Sequence, residues 1–286
     1  MGGNGQNMTI ETVYEPTIMP SSTAVILAVL TNLRQMERRP LLLSAPLMSF
    51  LAMIIFKRRI RLGMRKIMAL LHGEDLKSKQ NTTKLARFKK VLFETLKDVK
   101  SQDPELRKEG KLLIAELNPS TGSNLEFYPR GSKLISVEAE RVFERLFADR
   151  QHEFPFSQVR IERFVHAQPE SLEKLEDASV DIVVATLVCC SVEDLDTTIG
   201  EIKRVLVKGG RYYFLEHEQY QDPSWGYTIQ KSMNPFWKMC NDGCNVSRRI
   251  GEVIEYVGFH SVTMKKYYPA ELPYLMRPLI VGFATK

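Results

Sequence analysis

The hydrophobic pattern of the chain changes character near residue 111. Beyond it, short apolar runs rich in β-branched residues alternate with helical patterns. Strands are predicted at Lys111–Leu117, Lys133–Val137, Ile161–His166, Ile182–Leu187 and Gly210–Glu216. These runs are apolar on both faces, as strands are when layers cover the sheet on both sides. Helical patterns intervene near 122–128, 139–150, 171–176 and 194–206. This alternation predicts an α/β doubly wound, mostly parallel sheet. Two further runs, His260–Tyr268 and Leu279–Thr285, predict an antiparallel end to it. No internal repeat is visible.

Upstream, residues 82–100 repeat apolar side chains at helical spacing. Leu85, Phe88, Val91, Leu92, Leu96 and Val99 share one face, and Lys84, Lys89, Lys90, Lys97 and Lys100 the other. Packing of the apolar face against the domain is the simpler reading; a membrane surface is the other. Earlier still lies Leu41–Phe56, sixteen residues without a charge, bracketed by Arg38-Arg39 and by Lys57-Arg58-Arg59 and Arg61. As a helix it would be about 24 Å long, against a hydrocarbon core of about 30 Å. Its length, its Pro46 and its basic flanks suit a monotopic anchor, with a buried core helix as the alternative. A secretory signal fits less well, since the run starts at residue 41 and no Ala-x-Ala-like site follows. The expected organisation is a disordered segment 1–17, a hydrophobic and basic anchor segment 18–72, and an α/β domain 73–286.

Charge supports that division. Residues 1–111 hold 20 Lys+Arg against 10 Asp+Glu, a net of +10, and residues 112–286 hold 20 against 24, a net of −4. The positive charge belongs to the N-terminal part, which points to an anionic membrane surface. No basic-aromatic interleaving or nucleic-acid module is present, so no nucleic-acid partner is expected. Of the four cysteines, Cys189 and Cys190 sit in an apolar run and read as core. Cys240-x-x-x-Cys244 has no second pair and no nearby His, so no metal site is expected. Reduced thiols fit a cytosolic face.

The most informative stretch is Leu112-Leu-Ile-Ala-Glu116-Leu-Asn118-Pro119-Ser120-Thr-Gly122. A buried strand runs into a tight turn, and sixteen residues after Gly122 the second strand is followed by an acid, Glu138. Strand, loop, helix, strand and acid is how open α/β sheets hold a ribose. The alternative for Glu138 is an ordinary surface acid.

The segments Thr121-Gly122-Ser123-Asn124-Leu-Glu-Phe127-Tyr128-Pro129, Glu162-Arg163-Phe164-Val165, Thr186-Leu187-Val188-Cys-Cys-Ser191-Val192, Glu216-His217 and Asp242-Gly243-Cys244-Asn245 occur in order. Together they resemble class I methyltransferases of the type 11 domain, and within them the methyltransferase-like protein 7 family of membrane-bound alkyl thiol methyltransferases. The resemblance covers roughly residues 40–286. It implies S-adenosylmethionine as cofactor, a small-molecule acceptor such as an apolar thiol, membrane lipids as partners, and the cytosolic face of the endoplasmic reticulum or a lipid droplet. The family's first loop follows acid-x-Gly-x-Gly-x-Gly; here Glu116 and Gly122 remain, while Asn118 and Ser120 replace two glycines. Asn tolerates positive φ, whereas Ser120 places a Cβ where backbone should approach the cofactor. The resemblance assigns cofactor binding to Glu116, Asn118, Gly122, Glu138, Glu170, Thr186 and Leu187. Glu170 is read either beside the adenine or as a helix-start charge. His217 is a candidate base or orienter of the acceptor, or a structural histidine. Asp242 is a candidate for the acceptor pocket, with Trp225, Tyr227, Phe236 and Trp237 as its apolar wall or as a lid. A methyltransferase-fold scaffold without catalysis is the alternative that the altered loop favours.

Overall fold

A computed structural model of the protein describes residues 85–286. The apolar run 41–56 and the expected segments 1–17 and 18–72 lie outside the described residues. Among the described residues no helix is long and apolar enough to cross a membrane.

Helix α1 (residues 85–93) continues as a 3-10 turn, Glu94–Asp98. Then follow α2 (Pro104–Lys108), β1 (Leu113–Leu117), β2 (Lys133–Val137), α3 (Val142–Arg150), β3 (Arg160–Val165), β4 (Val180–Thr186), α4 (Leu195–Val205) and β5 (Leu206–His217). The chain closes with α5 (Trp225–Cys240), α6 (Ile250–Tyr256), β6 (Ser261–Tyr267) and β7 (Leu279–Thr285). The seven strands form one sheet in the order β3-β2-β1-β4-β5-β7-β6. The first five are parallel, and β7 runs antiparallel between β5 and β6. The doubly wound sheet with an antiparallel end is therefore as the hydrophobic pattern predicts.

Alternate residues of the central strands feed two cores. Ala115, Ile135, Val183, Ala185 and Phe214 pack with Ile199 and Ile202 of α4 and Ile250 and Ile254 of α6. Ile114, Leu134, Ile182, Val184 and Leu215 pack with Leu85, Phe88 and Leu92 of α1 and Phe143 of α3. Burial of both faces explains why these strands read as continuous apolar runs. Helix α4 shows the same logic: Leu195, Thr198, Ile199, Ile202 and Val205 are buried at helical spacing, and Asp194 caps its first turn through the Thr197 amide.

Three expectations are corrected. The apolar face of α1 is rotated from the predicted one: Val91 is exposed, while Phe93 and Lys89 are buried. Residues 171–176 form a turn, not a helix. There Glu201 accepts from the Leu172 amide at 3.0 Å, and Arg204 donates to the carbonyls of Leu172 and Leu175 at 2.9 and 3.0 Å. Side chains of α4 thus replace the hydrogen bonds a helix would have made. Residues 122–128 tighten to a single 3-10 turn, Leu125–Phe127.

Candidate functional site

Between β1 and β4 the winding reverses: β1 leads outward to β2 and β3, and β4 to β5. Ligands of open α/β sheets sit outside the carboxyl ends of the strands at such a reversal. Most of the sequence-predicted residues lie there.

The last rung of β1 is the amide of Asn118 donating to the Val137 carbonyl at 2.7 Å. The chain then turns with φ of +51° at Asn118, +51° at Ser120 and +70° at Gly122. These are the left-handed values that the glycines of such loops adopt without cost, and two non-glycine residues hold them here. At Gly122 a Cβ would be crowded as well as strained, meeting the Leu125, Phe156 and Phe143 side chains at 3.0, 3.1 and 3.2 Å. Leu187, at the end of β4, also has positive φ, +59°. Asn118, Ser120 and Leu187 are three of the five such non-glycine residues described, and they flank the reversal. Strained backbone gathered at one strand edge is a mark of a functional site.

Replacing both Asn118 and Ser120 by glycine is a direct test of this strain. Relief of about 1 kcal/mol is expected, mostly from Ser120, after the entropy cost of glycine is subtracted. That corresponds to a melting temperature raised by about 2–4 °C. An unchanged or lower melting temperature would mean that the turn is not strained.

Beneath the turn lies a buried polar network. The carboxylate of Glu116 accepts from Asn124 Nδ2 at 2.8 Å and from the Tyr128 hydroxyl at 2.7 Å. The same Asn124 Nδ2 donates to Thr186 Oγ1 at 3.0 Å, which ties the loop to β4. Lys89 of α1 donates to Ser123 Oγ at 2.6 Å and feels the charge of Glu116. Burial pushes the Glu116 carboxyl up, and Tyr128, Asn124 and Lys89 pull it back. Glu116 is thus consumed in shaping the loop. The sequence marked Asn124 and Tyr128 only as part of the family resemblance, since a loop has no periodicity to assign them a role, and set Lys89 on the polar face of its helix. A lysine four residues after Leu85, on the buried side of α1, was the one available signal.

At the end of β2, Glu138 is 4% exposed, so it is not a surface acid. Its Oε1 accepts from the amides of Phe143 and Glu144, the first turn of α3, at 2.8 and 3.3 Å. Burial raises its carboxyl above the ordinary range and these amides oppose the rise. The carboxylate is held in place through one oxygen, and neither amide engages the other. Glu170 accepts from the Glu193 amide and braces the loop before α4; no helix begins after it.

The acceptor-side candidates differ in burial. Asp242 is exposed in the turn after α5, with φ of +50°. His217 ends β5, is 4% exposed, and places Nδ1 3.5 Å from Cys244 Sγ. Cys190 Sγ lies 3.5 Å from the same sulfur. The two cysteines are brought together by folding, one after β4 and the other after α5. Glu216, fully buried beside them, accepts from the amides of Val188, Cys189 and Cys190 at 2.9, 3.0 and 3.3 Å. Burial pushes Glu216 up to about 7 against those three amides. Trp237 closes on the core, whereas Trp225, Ile229, Met233 and Phe236 form an exposed stripe along α5. Of the four aromatic side chains expected to wall the acceptor pocket or cover it as a lid, Trp225 and Phe236 therefore face outward.

A methyltransferase-domain family model matches residues 118–214. Thiol S-methyltransferase TMT1A of Homo sapiens is 33% identical over 207 residues, 71% of this chain and 80% of that protein. Thiol S-methyltransferase TMT1B of Homo sapiens is 32% identical over 212 residues, 72% of this chain and 82% of that protein. Among solved structures, an S-adenosylmethionine-dependent methyltransferase of Thermotoga maritima is 17% identical with a TM-score of 0.46, over 81% of this chain and 98% of that one.

Proposed function

The chain belongs to the methyltransferase-like protein 7 family of methyltransferases, and from that premise we propose that it methylates the sulfur of a small apolar thiol at a membrane surface, with S-adenosylmethionine as donor. One observation carries the reading: the turn after β1 keeps the left-handed backbone of a glycine loop at Asn118, Ser120 and Gly122 although two glycines are gone. A loop kept only for folding has no reason to retain that strain.

The residues fit the donor. Asn124 Oδ1 is a buried acceptor with no hydrogen-bond donor among the described residues, and it suits the ammonium of the methionine part. The carboxylate of Glu138, already oriented by α3, suits the ribose hydroxyls. The turn at residues 118–122 and the end of β4 at Thr186–Leu187 lie at the same carboxyl edge of the sheet. The bound cofactor supplies a methyl group on a positively charged sulfur, already activated for transfer. What the protein adds is alignment of the acceptor and exclusion of water. His217 and Asp242 remain the candidates for the acceptor end.

The membrane reading rests on the N-terminal half and on α5. Residues 1–111 carry the excess of positive charge, and the sixteen-residue apolar run lies between basic clusters. The α5 stripe adds an interfacial tryptophan, Trp225, with Lys231 and Lys238 on the same helix. The cytosolic face of the endoplasmic reticulum or a lipid droplet is the location that the family resemblance implies. The competing reading, a binding protein without catalysis, rests on the side chains at Asn118 and Ser120.

Calorimetric titration of S-adenosylmethionine into the detergent-solubilised full chain tests the cofactor half. Saturable binding is expected, and Glu138→Ala should weaken it by about 1–3 kcal/mol, roughly 5- to 150-fold, while the variant stays folded. A wild-type protein that is folded and binds no donor would defeat the enzyme reading. An Ala variant with undiminished affinity would remove Glu138 from the ribose.

A further inference from the structure

Cys190, His217 and Cys244 form a cluster that neither the fold nor the donor site requires. Their ligand atoms, the two Sγ and a ring nitrogen, all lie within 4.8 Å of one another, and all three residues are buried. The two measured edges are 3.5 Å between Cys190 and Cys244 sulfurs and 3.5 Å between Cys244 Sγ and His217 Nδ1. A tetrahedral zinc ion with bonds of roughly 2.3 Å to sulfur and 2.0 Å to nitrogen sets edges of about 3.8 and about 3.5 Å. The two edges that meet at Cys244 are therefore within a few tenths of an ångström of those of a zinc site, and the third is no longer than 4.8 Å.

The backbone beneath it is fixed. The Cys190 amide donates to Glu216 Oε2 at 3.3 Å, and its carbonyl accepts from the Asn245 amide at 2.7 Å, which fastens the Cys244 turn to the Cys190 loop. The Cys244 amide donates to the Asn241 carbonyl at 2.9 Å, closing that turn. His217 is locked in β5 opposite Leu279. Three ligands on three rigid supports are what a preorganised metal site needs. Glu216 is not a fourth ligand, since both its oxygens are taken by amides. Two thiolates, a neutral imidazole and a divalent cation sum to zero charge, which suits burial.

We propose that Cys190, His217 and Cys244 bind a zinc(II) ion whose fourth, open corner takes the sulfur of the acceptor thiol. Two sulfurs and one imidazole with one open position is a ligand set found in catalytic zinc sites, whereas structural sites are closed by four protein ligands. Among the described residues no fourth protein ligand joins the cluster. A thiol on such a cation loses its proton to solvent near neutral pH. Its sulfur then forms the new bond to the methyl group, the carbon–sulfur bond of the sulfonium breaks, and S-adenosylhomocysteine leaves. No oxidant or reductant enters. The identity of the fourth ligand rests on the thiol reading above; the metal triad does not.

The test uses the full chain, purified in detergent under reducing conditions with zinc present, and read without methyl donor. About one equivalent of zinc should survive dialysis, falling at least about tenfold in Cys190→Ser and in Cys244→Ser. Cobalt(II) in place of zinc should give tetrahedral absorption with a thiolate-to-metal charge-transfer band, and an alkyl thiol should shift it. Should the serine variants misfold, the wild-type cobalt spectrum decides alone. Three results would each overturn the proposal: wild type holding no metal, a cobalt spectrum without the thiolate band, or one unmoved by saturating thiol. Because no donor is present, none of them depends on whether the cofactor loop works.

Discussion

Glu116→Ala is expected to cost the folded domain about 3–5 kcal/mol, because it strips the partner from several buried groups at once. The Tyr128 hydroxyl loses its acceptor, Asn124 Nδ2 loses one of two, and the buried ammonium of Lys89 loses its compensating charge. The cavity left by the side chain adds to the loss. Glu116→Gln should cost less, since an amide oxygen can still accept from Tyr128 while its NH2 confronts that of Asn124. Urea unfolding checks this: the midpoint should fall in the order wild type, Gln, Ala, with the slope unchanged. An Ala variant within 1 kcal/mol of wild type would mean that the network is not holding the loop. The effect would also reach the cofactor, because Asn124 links the loop to Thr186 and presents the unpaired oxygen assigned to the donor.

The sequence was most legible where packing imposes a period. Leu279–Thr285 and Lys133–Val137 are strands at the bounds their apolar runs mark. The turn after β1 could be read because its chemistry is local: Asn118 and Ser120 stand where glycine is wanted, and the chain holds them at the glycine angles. Position alone was less informative. Glu116 was read as a cofactor-binding residue; the structure adds that its carboxylate is buried against Asn124 and Tyr128 beneath the turn. Residues 171–176 have a helical pattern in Leu172 and Leu175, and the structure satisfies the same two burials with a turn held by Glu201 and Arg204. The cysteine cluster was illegible for a different reason. Spacing rules find ligands that are neighbours along the chain, as Cys240 and Cys244 are. Cys190, His217 and Cys244 become neighbours only when β4 and β5 pair and the turn after α5 folds back over their ends. Helix α5 was missed although Trp225, Ile229, Met233 and Phe236 recur at helical spacing; the structure turns that stripe outward, so it marks a surface and not the core.

Thiol over alcohol selectivity is the second large effect expected. A thiol ionises far more readily than an alkanol of the same skeleton, so the attacking anion is far scarcer for oxygen at neutral pH. A site that supplies alignment and dryness inherits that difference. The selectivity should reach roughly a thousandfold or more in kcat/KM. The decisive measurement is turnover by the full chain, solubilised in detergent, given S-adenosylmethionine and either a small apolar thiol or the alcohol of the same skeleton. Thiol methylation predicts the S-methyl thioether and S-adenosylhomocysteine in equal amounts, with the alcohol left nearly untouched. A folded protein that binds the donor yet methylates neither, or that methylates the alcohol as readily as the thiol, would contradict it.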